Sequence, residues 1–104
     1  MNKFVNLTPH TINEVVTGLE IPPSGTVARV AASSTVVDNI NGVPIYTTTY
    51  GDVVGLPDSQ PGVYYVVSGA VLAARPDRKD LLAPGELVRD NNGQPIGCKG
   101  FRRA

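Results

Sequence analysis

His10 is the only histidine of the chain, and imidazole is the side chain best suited to moving a proton near neutral pH. It stands in Asn6-Leu7-Thr8-Pro9-His10-Thr11, where Asn6 and Thr8 add polar groups able to contact an anionic or ribose-bearing ligand. No neighbour in sequence orients His10 as a base, although folding could bring Asp80 or Asp90 to it. A histidine at a strand end also closes turns by bonding to backbone, so structural and ligand-contact roles both outrank catalysis. The lone thiol, Cys98, would need a cation such as His10 or Lys99 beside it to become a nucleophile. In Gly97-Cys98-Lys99-Gly100 it reads as a small buried side chain.

A second cluster is Arg75-Pro76-Asp77-Arg78-Lys79-Asp80. Guanidinium groups suit bidentate phosphate contacts, and Arg75 and Arg78 would form an anion site if Arg89 joined them. Tyr46, Tyr50, Tyr64 and Tyr65 offer rings that could stack on a base or ribose, or simply pack on their strands, and Tyr46 and Tyr50 are the preferred stacking candidates. Asp77, Asp80 and Asp90 lack the spacing of a metal site and sit beside Arg78, Lys79 and Arg89, so local ion pairs are expected and no metal. The glycines form no phosphate loop or dinucleotide motif, and Gly-x-Ser-x-Gly is absent. These absences predict a protein without catalytic residues or cofactor, one that holds something rather than transforms it. The expected ligand-binding set is Asn6, Thr8, His10, Tyr46, Tyr50, Arg75, Arg78 and Arg89.

The elements that must position these residues are short apolar bursts between turn signals, the pattern of a β-rich domain. Strands are expected over Phe4–Leu7, Ile12–Val16 and Thr26–Ala31, the last after a turn at Pro22-Pro23-Ser24-Gly25. Asn41-Gly42 between two β-branched runs is the strongest hairpin signal in the chain. Asp52–Gly62 reads as an exposed connection, and Val63–Val67 as a central strand buried on both faces. Ser68 begins an Ala-rich run that stops at Pro76, giving one helix of about two turns with Ser68 as its N-cap. Asp80-Leu81-Leu82 would add another helical turn. A second hairpin follows, turning at Asn91-Asn92-Gly93. The whole predicts a mainly β (α+β) domain over residues 1–104: a small barrel or strongly curved antiparallel sheet with one short helix near 68–75.

Composition narrows the class further. The chain has 104 residues, one domain's worth, with 9 basic and 9 acidic side chains. Neutrality excludes a general nucleic-acid binder held by phosphate charge, and the lone Cys excludes a disulfide scaffold. The charge is nevertheless uneven. Up to Ala74, Lys3 and Arg29 face five carboxylates, whereas from Arg75 onward seven cations face four. No signal peptide is evident at Met1–Leu7 and no apolar run is long enough for a membrane span, so a reducing cytoplasm is expected.

Phe4-Val5-Asn6-Leu7-Thr8-Pro9-His10, together with Ile21–Val30, Gly51–Pro57, Val63–Ser68, Arg78–Gly85, Val88–Asp90 and Gly97–Phe101, resembles a family of small phage, prophage and actinobacterial proteins marked by an Asn-Leu-Thr-Pro-His motif. The resemblance spans nearly the whole chain and implies a mobile-element setting, the host cytoplasm for a phage-encoded member. It carries over no catalytic or binding residue. By analogy of size and setting, the first functional expectation is a homo-oligomeric sponge. It would sequester a small nucleotide-derived immune signal and so inhibit anti-phage defence. The alternatives are a protein-interaction module (a phage accessory or virion component, or an inhibitor of a host protein) and an enzyme that degrades a nucleotide signal using His10.

Overall fold

The computed structural model describes residues 2–104. Strands account for more than half of the described residues, and the only helix among them is six residues long. In chain order the elements are β1 (Lys3–Asn6), β2 (Ile12–Glu14), β3 (Leu19–Ile21), β4 (Arg29–Ile40), β5 (Val43–Val54), β6 (Val63–Val66), α1 (Gly69–Ala74), β7 (Leu81–Arg89) and β8 (Pro95–Arg102). Six of the strands form one sheet in the order β1-β6-β7-β8-β2-β3, and β4 and β5 form a separate two-stranded ladder. The six-stranded sheet curls into a nearly closed barrel, as expected from the sequence. Its pairing is mixed, however. β1 with β6, β6 with β7, and β2 with β8 run parallel, and only the hairpin-linked neighbours run antiparallel.

The core lies between this sheet, the helix and the base of the β4–β5 ladder. Leu7, Ala28, Tyr65, Val67, Val71, Leu72, Leu81 and Ala83 form one buried cluster, and Ile12, Ile21, Val66 and Cys98 a smaller second one. Ser68 caps α1 by accepting the N–H of Val71, and Val71 and Leu72 are its buried residues. β6 sits between β1 and β7 with Tyr65 and Val66 buried, the central strand that its β-branched and aromatic run predicted.

Three sequence expectations are corrected. Asp80-Leu81-Leu82 makes no helical turn: Leu81 and Leu82 open β7 and pair in parallel with Tyr65 and Val66. Full burial of Leu81 under the core outweighs its helix propensity. Pro84 is tolerated in that strand because the β6 pairing has already ended at Leu82, leaving β8 as its neighbour. Gly85 has a steric reason to be glycine, since a Cβ there would run into the Lys99 carbonyl of β8. Second, the exposed connection begins after Val54 and not at Asp52, and Val53 and Leu56 on either side of that point pack against the core. Third, the strand expected at Thr26–Ala31 starts only at Arg29 and then continues for 12 residues.

That long strand is half of the most unusual element. β4 and β5, 12 residues each, run out as one hairpin whose residues are almost all exposed. At about 3.3 Å per residue it is roughly 40 Å long. The radius of gyration is 16.1 Å, against about 13 Å for a compact domain of this length. At its tip Asn41 and Gly42 have φ of 53° and 81°, the two positive angles of the type I′ turn that Asn-Gly favours. One extra residue on β5 near Gly51 and one on β4 at Val37 interrupt the register.

Candidate functional site

The Asn-Leu-Thr-Pro-His segment lies where the barrel closes. β1 and β3 are the first and last strands of the sheet order, and Asn6, at the end of β1, joins them. Its side-chain amide donates to the Ile21 carbonyl at 3.0 Å and to the His10 carbonyl at 2.7 Å. Its Oδ1 accepts the Thr8 N–H at 2.9 Å and the Thr8 hydroxyl at 2.7 Å, and its own carbonyl accepts the Ser24 N–H. Asn6 is 1% exposed, so a buried amide here needs these partners and has them. The Thr8 hydroxyl is held by the same network. The motif thus folds a tight loop against the seam.

The His10 ring is left exposed at the rim of a cleft of about 600 Å³. Thr8–Asn13 forms one wall. Ser68, Gly69, Leu87, Ile96 and Cys98 are among the residues of the others. Leu87 and Ile96 are half exposed there, which makes the cleft mainly apolar. Cys98 is buried, and burial pushes its thiol above the usual range, the opposite of what a nucleophile requires. Opposite His10's loop, β2 carries a second lock. The buried Glu14 carboxylate accepts from the Thr17 hydroxyl and from the N–H groups of Val16, Thr17 and Gly100. The Thr17 hydroxyl first, then these backbone donors, pull its pKa from 4.5 to about 2.

The basic residues do not converge. Arg75 is paired with Asp77 at 2.9 Å on an exposed turn. Arg78 forms a two-bond fork on Asp80 at 2.8 Å and also donates to the Pro57 carbonyl. This second pair is mostly shielded, and each pair raises the pKa of its arginine and lowers that of its aspartate, chiefly through the shared hydrogen bonds. Arg89 donates to the Gly93 carbonyl in the last hairpin. Since β7 runs between Arg78 and Arg89, the two are separated by roughly 26 Å of strand. Beside Arg78 lies a polar groove of about 480 Å³ lined in part by Tyr64, Lys79 and Arg103. Among the described residues, no group of three or more His, Cys, Asp or Glu side chains could hold a metal ion, and no helix is long and apolar enough to cross a membrane.

Tyr46 and Tyr50 lie on the arm, far along the chain from the other expected site residues. The ladder pairs Tyr50 with Ala32, Thr48 with Ser34 and Tyr46 with Val36. Strand alternation sets these three pairs on one face, while Thr35 and Thr49, whose hydroxyls are 3.1 Å apart, occupy the other. The face of Tyr46 and Tyr50 is the one on which Val30 and Val53, at the base of the arm, pack into the core. An apolar stripe therefore leaves the core and continues outward without cover. The stripe is interrupted by the Ser34–Thr48 pair; Val36 is 55% exposed and Tyr46 59%, and near the tip Ile40 and Val43, bare to a similar degree, pair on the opposite face. These valines and isoleucines carry no polar chemistry to single them out in the sequence. Their signal was the lack of charge, Asp38 being the only charged residue between Val30 and Gly51.

Compared with protein-family models, curated proteins and solved structures, the chain finds no match.

Proposed function

We propose that the protein is a non-enzymatic interaction module, with a closed β body that presents the β4–β5 arm to a protein partner. The observation that carries this reading is the uncovered, uncharged stripe from Ala32 and Tyr50 to Val36 and Tyr46, apolar except for the Ser34–Thr48 pair between them, on an arm that contributes little to the body's core beyond its base. Exposed apolar patches on this scale mark contact surfaces. In the phage or prophage setting that the resemblance implies, such a module is an accessory or virion component or an inhibitor of a host protein.

A variant in which residues 32–50 are replaced by an Asn-Gly turn tests the reading. The intact chain should form a complex, with itself or with another protein, on sedimentation in extract, while the shortened chain keeps its fold by circular dichroism and sediments alone. Equal complex formation by both chains would overturn the proposal.

A nucleotide-sequestering role draws support from a different observation. Lys79 and Arg103 line the polar groove beside Tyr64, and neither belongs to the ion pairs found among the described residues. Arg75 and Arg78, by contrast, are already neutralised by Asp77 and Asp80. Mass spectrometry of what the purified protein releases on denaturation tests this role: an anionic nucleotide supports it, and its absence counts against it.

A further inference from the structure

We infer that the partner of the arm is a second copy of this chain, joined edge to edge along β5 about a two-fold axis. The inference rests on the interaction-module reading and names its occupant.

Both outer edges of the β4–β5 ladder are open, because each strand has only the other as a hydrogen-bonded neighbour. Open edges are usually blunted by charges, proline or bulges. On β4 the uncharged run from Val30 to Val36 is made in its middle of Ala31-Ala32-Ser33-Ser34, small side chains that add little to a strand contact, and it ends at the extra residue Val37 and Asp38. On β5 the blunting devices stand only at the ends: Pro44 beside the tip, and the extra residue near Gly51 followed by Asp52. Between them Ile45-Tyr46-Thr47-Thr48-Thr49-Tyr50 is uninterrupted, β-branched or aromatic throughout, and uncharged. This is an edge built to pair.

Charge decides the occupant. A two-fold contact brings each residue opposite itself or its near neighbours in the other copy, so any charge in it meets its own sign. An edge matched to a different protein has no such restriction and commonly uses charge to choose its partner. Every strand of the body except the buried β6 carries a charged residue, yet the exposed β5 run carries none. Antiparallel pairing of one β5 run with its copy about Thr48 is self-complementary in register, setting Thr48 opposite Thr48 and Tyr46 opposite Tyr50 of the other chain on one face. Two two-stranded arms then become one four-stranded sheet. An isolated hairpin is marginal in water, whereas three or more strands with a common apolar face hold together. The stripes of Tyr46, Tyr50 and Val36 merge into that face.

Native mass spectrometry and sedimentation of the intact chain from about 1 to about 200 µM test the pairing. A dimer is expected, and a monomer at every concentration overturns the inference. Thr48→Lys and Thr48→Asp, made separately at this exposed position, should each weaken the dimer on the order of tenfold or more through like-charge contact. An equimolar mixture of the two should restore it. Dimers that tolerate both single variants, or a mixture that restores nothing, overturn the two-fold β5 contact. Thermal melts of both variants, taken at dilution where no dimer forms, should match the parent, because Thr48 lies outside the core. If the chain is monomeric but the arm-shortened variant loses a partner of different sequence, the second-copy inference fails and the module reading stands. If the arm-shortened variant loses nothing, both fail.

Discussion

The body and the arm use the same residue types to opposite ends. In the body, Val66, Val71 and Leu81 have no accessible surface, and the few polar groups inside are hydrogen-bonded. On the arm, Val36, Ile40 and Val43 keep more than half of theirs. β-branched side chains make a strand in either place, since strand preference reflects a fit to the pleated surface. What differs is whether something lies on top of them. The contrast separates residues that stabilise the fold from residues that are left over for a partner, and it does so without reference to any motif.

The sharpest way to break this comparison is to truncate one side chain in each region. Leu81→Ala should cost about 3 kcal/mol, because the cavity lies where neither sheet nor helix can collapse into it. Val36→Ala, measured at dilution, should stay within about 0.5 kcal/mol. Urea unfolding checks both, and similar losses would mean that the arm is packed in solution. Asn6→Ala comes next, at about 2 kcal/mol, since it leaves buried groups at the β1–β3 seam without partners. Its counterpart on the arm, Thr35→Ala, removes only an exposed contact to Thr49 and should leave the melting curve where it was.

Glu14 gives the most conditional effect. Its folded pKa of about 2 lies below the ordinary 4.5, so its contribution to stability is complete above about pH 4.5 and disappears as pH falls toward 2. Melting temperatures of the parent and Glu14→Gln should therefore differ by a constant amount near neutrality and converge through that acid window. A gap that persists at about pH 2 would mean that the carboxylate acts through shape and not through charge.

Local chemistry was legible in the sequence wherever it decides structure alone. Asn41-Gly42 makes its hairpin, Ser68 caps its helix, and Asp90 closes the last turn by accepting the N–H groups of Asn92 and Gln94. The parallel pairings were not legible, because β1 with β6 and β2 with β8 join segments far apart in the chain, with nothing local to signal the match. The Asp80-Leu81-Leu82 misreading has the same origin: burial against Tyr65 and Val66 is invisible from the neighbours of Leu81. As for the expected binding residues, residue type identified Arg75, Arg78 and Arg89 as candidates. Two-residue spacing then gave Arg75 and Arg78 their own carboxylates, and β7 carried Arg89 away. Asn6 and Thr8 stand out in the sequence because of the seam they close.

The order of the strands has a consequence in time. β8 lies between β7 and β2, and the Glu14 carboxylate meets the Gly100 N–H 86 residues later in the chain. During synthesis, the body therefore stays open until β8 emerges from the ribosome, while every residue of the arm is already out once Val54 is. Each nascent chain therefore presents the whole uncharged β5 run before its barrel can close, the interval in which an open strand edge is most accessible.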